Sequence, residues 1–306
     1  MSGHIVHIGY HKTATTWFQK TVFPAASSHE LIARKAVQSA MLAPPGMHFC
    51  PNKARQMLGL EGRNRPVVLS EENLTGYLHN GGLHGLVGPE MARRIHATLP
   101  DARIVVFIRN QFDILRASYT QYVAGGGTFS QKRYFGGMRH CHGALTHPWK
   151  APAFEYEHFD FDRLIAFYED LFGAERVHVY PYEWLRDEGA LLKRMESELG
   201  IEFCHRPGRS KGRNAALGRL SIQILRRANL FTRQSVVNKD CWLDLPGGQA
   251  YRHAVKRGLA GLPWLNNRKP ELRSDVRGKA QDAYAEGNRR LMARRDLPLG
   301  ELGYPV

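Results

Sequence analysis

His4-Ile5-Val6-His7-Ile8-Gly9 runs without a break into Tyr10-His11-Lys12-Thr13-Ala14-Thr15-Thr16-Trp17. The first six residues read as a short strand, and the rest as a tight turn that opens a helix near Thr15. Such a turn presents backbone N–H groups, a helix N-terminus and one fixed cation to a single anion. It departs from the phosphate loop G-x-x-x-x-G-K-[ST], in which the Lys directly precedes the hydroxyl that holds magnesium. Here Lys12 leads the turn and the second glycine is absent. A capped helix after a strand accounts for Thr15 and Thr16, but not for Lys12 and Trp17 together.

Outward from this stretch, strand and helix patterns alternate. Residues 66–70 (PVVLS) form a second apolar run, Arg103 to Ile108 a third, β-branched and apolar on both faces, and Arg176 to Tyr180 a fourth. Helical periodicity covers Pro89 to Leu99, Gln111 to Val123, Asp162 to Phe172 and Ala190 to Leu199. Alternation at this spacing predicts an α/β chain with a parallel central sheet flanked by helices. Ligands in such sheets bind at the carboxyl ends of the strands. Two stretches, Gly125 to Pro152 and Leu230 to Ser274, show no clear period. With no internal repeat or low-complexity linker, the expectation is a single domain over 1–306 with irregular insertions near 126–158 and 230–275.

The third strand runs into Arg109-Asn110-Gln111-Phe112-Asp113, and Ser118 follows two turns into the helix. An Arg at a strand end supplies paired planar donors, and a Ser a short hydroxyl, to one phosphate. Further on, Arg209-Ser210-Lys211-Gly212-Arg213-Asn214 places a glycine between two cations, so that the backbone bends while both side chains reach an anion.

Tyr10 to Trp17 resembles the 5′-phosphosulfate loop of the sulfotransferases that use 3′-phosphoadenosine 5′-phosphosulfate (PAPS). The resemblance implies a three-layer P-loop-like fold and PAPS as the sulfuryl donor. It implies that His11, Lys12, Thr13, Ala14, Thr15 and Thr16 hold the 5′ end of the donor, with Lys12 at the bridging oxygen. Trp17 would lie against the adenine or in the core. Arg109 and Ser118 resemble the 3′-phosphate element, although the family places its Ser eight residues after the Arg and position 117 is Ala here. One residue along a helix is a rotation of about 100°. Lys211, Gly212 and Arg213 resemble the loop that closes over the nucleotide in carbohydrate sulfotransferases. Tyr180 to Leu185 and the helix after it look like the family's fourth strand and its helix. The likeness covers about 1–125 and 176–225, with a final helix near 278–294.

Sulfuryl transfer needs an aligned acceptor hydroxyl, a base for its proton and cations for the charge that develops on the leaving oxygen. Fixed Lys and Arg residues suit a group carrying one negative charge, so no metal is expected. The second strand ends in Ser70-Glu71-Glu72-Asn73. Glu71 or Glu72 is therefore the expected base, with His11 as the alternative and His79 and His84 nearby; helix-start carboxylates favoured by the dipole would look the same. Arg139-His140-Cys141-His142, with His147, lacks a second cluster to complete a tetrahedral metal site and reads as a polar substrate loop.

The 306 residues carry 43 Lys and Arg against 28 Asp and Glu, and from Arg206 onward 21 against 8. A surplus so placed points to an anionic partner. The motifs assign part of it to a nucleotide rather than to nucleic acid. Arg226, Arg227, Arg289, Arg290, Arg294 and Arg295 are left to an anionic acceptor, a membrane surface or solvent. Four dispersed cysteines without a C-x-x-C pair suit a reducing compartment. No apolar run is long enough for a signal peptide or a membrane span, and a cytoplasmic location is expected.

The acceptor would be a glycan, glycolipid or small metabolite, recognised by the unmatched segments and their aromatics Phe129, Tyr134, Phe135, Trp149, Trp242 and Trp264. Two other classes share some of these features. A P-loop-like nucleotide or small-molecule kinase has the same strand–turn–helix logic but not the lysine position. A non-catalytic polyanion-binding protein would account for the basic surplus alone.

Overall fold

The computed structural model describes residues 3–79, 85–136, 154–205, 207–208, 217–232 and 240–306. Five strands form one sheet: β1 (Ile5–Gly9), β2 (Glu30–Leu31), β3 (Val67–Ser70), β4 (Arg103–Ile108) and β5 (Val177–Pro181). Their order is β2-β3-β1-β4-β5, and every pair is parallel. The two-residue edge strand β2 is too short to leave a pattern in the sequence.

Alternate residues of each strand point to opposite faces, as the period of two requires. Val6, Ile8, Leu69, Ile104 and Val106 join one buried cluster with Ile95, Ile114, Ile165 and Tyr284. Ile5, Val68, Val105 and Phe107 join the other with Phe18, Phe23, Leu191 and Leu199. Burial on both faces explains why the strands read as unbroken apolar runs.

The short helices α1 (Thr15–Trp17), α2 (Arg34–Val37) and α3 (Pro51–Met57) come first, α1 and α2 each continuing into a π turn. They are followed by α4 (Val87–Thr98), α5 (Gln111–Ala124), α6 (Gln131–Phe135), α7 (Phe161–Phe172) and α8 (Glu188–Leu199). The four sequence-expected helices are thus α4, α5, α7 and α8, with ends shifted by two residues or fewer.

The stretch expected to be irregular near 230–275 contains α10 (Gly248–Ala260) and α11 (Pro263–Asn266), which follow α9 (Arg219–Ala228). Pro246-Gly247 and Pro263 are helix starts there: Gly247 takes the left-handed φ of 72° ahead of α10, and Pro263 sits in the first turn of α11. Proline and glycine marked boundaries between helices rather than a loop.

The last helix, α12 (Ser274–Arg295), carries four of the six arginines left unassigned by the motifs, Arg289, Arg290, Arg294 and Arg295. Asp162 at the start of α7 takes Arg290 at 2.8 Å, and Arg294 also reaches it. Glu169, one face of α7 further on, takes Arg294 at 2.7 Å and Arg295 as well. Arg226 donates to the Thr128 carbonyl at 3.0 Å. Four of the six cations left to an anionic acceptor or membrane therefore clamp the chain to itself.

Residues 297–305 return across the sheet edge. Asn110 donates to the Leu302 carbonyl at 3.3 Å, and the Tyr304 hydroxyl donates to Glu183 Oε2 at 2.8 Å. Glu183 Oε1 in turn accepts from the Asn110 backbone N–H at 3.0 Å. This strap braces the turn directly after β4.

Candidate active site

The strand order puts β1 between β3 and β4, so the segments leaving these three strands meet at one edge. The bend after β1 begins at Gly9, whose φ of 105° suits glycine. A Cβ there would also lie 3.1 Å from the Glu72 Cα, so the glycine permits a close approach of two backbones. Tyr10 then donates its N–H to the Phe107 carbonyl at 2.9 Å, and its ring is buried against Phe161. The Thr13 hydroxyl closes the turn on the Tyr10 carbonyl at 2.5 Å.

Lys12 and Ala14 both hold φ at 64°, left-handed conformations without the excuse of glycine. Each costs on the order of 1 kcal/mol. A strained pair of this kind concentrates at ligand sites, where the surroundings over-determine it. Ala14 stands at the N-cap of α1 with no side-chain cap, so the first N–H groups of that helical stretch lack an intrahelical partner.

Lys12 is half-buried and makes no salt bridge among the described residues. Burial pulls its pKa below the ordinary value, and the positive charges of Arg109 and Lys256 pull in the same direction, against Glu72. Arg109, at the end of β4, donates from Nη1 to the Lys12 carbonyl at 2.8 Å and lies over the Tyr182 ring at 4.4 Å. Its Nε is buried with no hydrogen-bond partner. It too has no carboxylate partner among the described residues. Two adjacent cations, one bearing an orphaned N–H, face the edge of the sheet. Lys256, on α10, was missed by the sequence reading because its stretch looked structureless.

The end of β3 is differently organised. Glu71 is fully buried and accepts from Arg34 Nε at 2.7 Å, Arg34 Nη2 at 3.0 Å and Gln38 at 2.7 Å. It also accepts from the Asn73 N–H at 3.0 Å and the Asn73 side chain at 2.8 Å. Burial alone would raise its pKa, but the bonds from Arg34, Asn73 and Gln38 outweigh that and hold it below the ordinary value. Glu72 takes Arg34 at 2.7 Å on one oxygen and Gln19 at 3.0 Å on the other. Both carboxylates are already engaged.

His11 is buried, with Nε2 at 3.1 Å from Asn73 Oδ1 and Nδ1 without a partner. Its ring faces that of His158 at 6.1 Å, and the buried His158 has an orphaned Nε2. His79 bonds the Tyr134 hydroxyl at 3.0 Å. His158 carried no signal in the sequence, since it lies in a short turn (Tyr156–Phe159) after a segment without periodicity.

The loop thus gathers His11, Lys12, Thr13, Ala14 and Arg109 with Glu72. Thr15 is buried and Thr16 exposed at the first turn. Trp17 packs edge-on against Phe18 at 4.9 Å, on the flank of the core, with its indole N–H unpartnered. Ser118 does not join them. It is fully buried in α5 and donates to the Ile114 carbonyl one turn back at 2.7 Å. The extra residue relative to the expected spacing turned it into the core, while Ala117 took the more open position.

Phe129, Tyr134 and Phe135 are core residues, whereas Trp242 and Trp264 are 75% and 63% exposed. His84, His140, Cys141, His142, His147, Trp149, Lys211, Gly212 and Arg213 lie outside the described residues.

No family model and no curated protein matches the chain. Among solved structures, a sulfotransferase from Alicyclobacillus acidocaldarius superposes with a TM-score of 0.50 at 17% identity, over 70% of this chain and 87% of that one. A mouse sulfotransferase, SULT7A1 complexed with PAP, aligns with a TM-score of 0.40 at 12% identity, over 98% of this chain and 87% of that one. Sheet order, layers and the first of these superpositions agree: the chain has the three-layer, P-loop-like fold of a sulfotransferase.

Proposed function

We propose that the protein moves the sulfuryl group of PAPS to a hydroxyl on a glycan, glycolipid or small metabolite. The observation that carries this reading is the pairing of Lys12 with Arg109: two adjacent cations at the strand ends, without a carboxylate partner among the described residues. A polyanionic nucleotide supplies the missing countercharge. The orphaned Arg109 Nε and the N–H groups of Thr15 and Thr16, which precede the first bond of the helix from Trp17 to the Ala14 carbonyl, supply donors for phosphate oxygens.

The chemistry is an in-line displacement at sulfur. The acceptor oxygen forms the new S–O bond as the bond to the 5′-phosphate breaks, and the electron pair leaves with adenosine 3′,5′-bisphosphate. Lys12 stabilises the charge that grows on the bridging oxygen, in a partly desolvated place where such stabilisation is strong. Arg109 holds the loop by the Lys12 carbonyl and takes the nucleotide's 3′-phosphate, to which Lys211 and Arg213 add charge by the family resemblance. The acceptor's proton passes to a base at the end of β3 or in the loop.

The test is thermal. Adenosine 3′,5′-bisphosphate is expected to raise the melting temperature, and ATP with magnesium to leave it unchanged. Folded protein with no response to the bisphosphate would sink the reading. Stabilisation by any polyanion, vanishing with added salt and surviving Lys12→Ala, would instead indicate a polyanion-binding protein.

A further inference from the structure

His11, Asn73, Glu71 and Arg34 form a continuous hydrogen-bonded row that ends in an unpartnered nitrogen. Its far end is anchored: Glu71 is fully buried and receives two bonds from Arg34 and one from Gln38. The Asn73 amide has only one sensible orientation beside it. Glu71 Oε1 can only accept, so the group 2.8 Å away must be the Asn73 NH2, a placement that the Asn73 backbone N–H reinforces at 3.0 Å on the same oxygen. Asn73 Oδ1 is then the atom that faces His11 Nε2 at 3.1 Å, and an amide oxygen can only accept. The proton between them belongs to Nε2.

We propose that Asn73, oriented by Glu71 and Arg34, fixes His11 as its Nε2–H tautomer and so makes His11 Nδ1 the atom that takes the acceptor's proton. As a base, His11 rests on the sulfuryl-transfer reading; as a tautomer, it rests on hydrogen-bond geometry alone. Nδ1 is buried and bonded to nothing, a state that costs about 1–3 kcal/mol unless a ligand group fills it. Burial holds His11 below its ordinary pKa, with Glu72, Asn73 and Glu71 acting the other way and Lys12 adding to the depression. The resting ring is neutral, with its lone pair on Nδ1.

In the transfer, the acceptor O–H bond breaks toward Nδ1, the oxygen bonds to sulfur, and the bridging S–O bond releases its electrons to the 5′-phosphate. The imidazolium that results is met through Asn73 by the Glu71 carboxylate, and by Glu72 nearby. Those two carboxylates, expected from the sequence to be the base, act as positioning and charge-balancing groups because their own oxygens are already bonded. The His158 ring lies 6.1 Å from that of His11 and has an orphaned Nε2 of its own. The groups facing His11 are therefore Lys12 on its own loop, Glu71, Glu72 and Asn73 after β3, Arg34 behind them, and His158 and His79 opposite.

The test has two arms. In 15N-labelled full-length protein near neutral pH, NMR of the His11 ring, assigned by its loss in His11→Gln, should show a protonated Nε2 and a bare Nδ1. In Asn73→Ala, that preference should collapse to a mixture of tautomers. The second arm follows PAPS consumption with water as acceptor. His11→Gln keeps a donor toward Asn73 but no base, and should lose about 10²–10⁴-fold in kcat. Asn73→Ala should lose at least tenfold in kcat with little change in KM.

A protonated Nδ1 in the wild type overturns the proposal without any variant having to fold. So does an unchanged tautomer in folded Asn73→Ala. Turnover preserved in His11→Gln overturns the base assignment alone. A wild type that neither responds to adenosine 3′,5′-bisphosphate nor consumes PAPS overturns the sulfuryl-transfer reading and the base with it, while the NMR arm still decides the tautomer.

Discussion

Arg109 Nη1 donates to the main-chain carbonyl of Lys12 at 2.8 Å, so one cation of the candidate site holds the backbone that carries the other. On the proposed reading Arg109 has two separable duties, bracing the loop and meeting the 3′-phosphate. Arg109→Ala should weaken binding of adenosine 3′,5′-bisphosphate by tenfold or more, about 1.4 kcal/mol. Calorimetry against adenosine 5′-phosphosulfate, which lacks the 3′-phosphate, should show a smaller loss. Equal losses would mean that bracing the loop is the whole of its role. Arg109→Lys should behave nearly like the alanine variant, since an ammonium reproduces neither the forked donors nor the contact with Tyr182.

The inward turn of Ser118 makes a negative prediction. Ser118→Ala removes one hydroxyl that bonds its own helix, so stability should change by no more than about 1 kcal/mol. The melting shift induced by adenosine 3′,5′-bisphosphate should be the same as in the wild type. A lost shift would show that the side chain reaches the nucleotide after all.

Asp162, 5% exposed, is the joint between α7 and α12. Asp162→Ala leaves Arg290 and Arg294 short of a partner at a partly open site, which should cost about 2 kcal/mol. The melting temperature should fall by several degrees, while the bisphosphate shift is retained. A variant as stable as the wild type would return these arginines to the pool of free surface charge.

Acid sensitivity should begin at higher pH than carboxylates alone would allow. Burial holds His7 and His158 at about 3, and burial, with the charges of His11 and Lys12, holds His79 at about 4. Unfolded histidine titrates near about 6.5, so below that pH the unfolded chain takes up protons that the folded one refuses. The stability from these neutral rings is complete above about pH 6.5 and falls with pH, down to their folded values. Three such groups approach a slope of about 4 kcal/mol per pH unit. Glu71 adds a further loss as pH falls through its depressed pKa. Urea midpoints measured from about pH 7.5 down to about pH 5 should decline from near 6.5; a flat profile over that range would contradict the burial of these rings.

The sheet was legible because its strands are buried on both faces and written in Val, Ile and Phe, as in Arg103 to Ile108. The two catalytic-looking cations were legible for a related reason, since Lys12 and Arg109 directly follow such strands. What local pattern does not hold is rotation and pairing. Ser118 and Ala117 differ by one step, and only packing of α5 decides which turns inward. Glu71 looked like a base because its partner Arg34 lies far back in the chain, in a helix of four residues. The Arg290, Arg294 and Arg295 surplus looked like a docking face because Asp162 and Glu169, which engage it, are more than a hundred residues away. Pairings over such distances are set by the fold, and composition adds them up as unspent charge.

The strap over the β4 edge has a temporal side. The Leu302 carbonyl that Asn110 grips lies 192 residues after it in the chain. The turn that aims Arg109 gains its last brace only when Tyr304 reaches Glu183. Competence of the proposed nucleotide site should therefore wait on the docking of residues 297–305, long after Arg109 itself has been made.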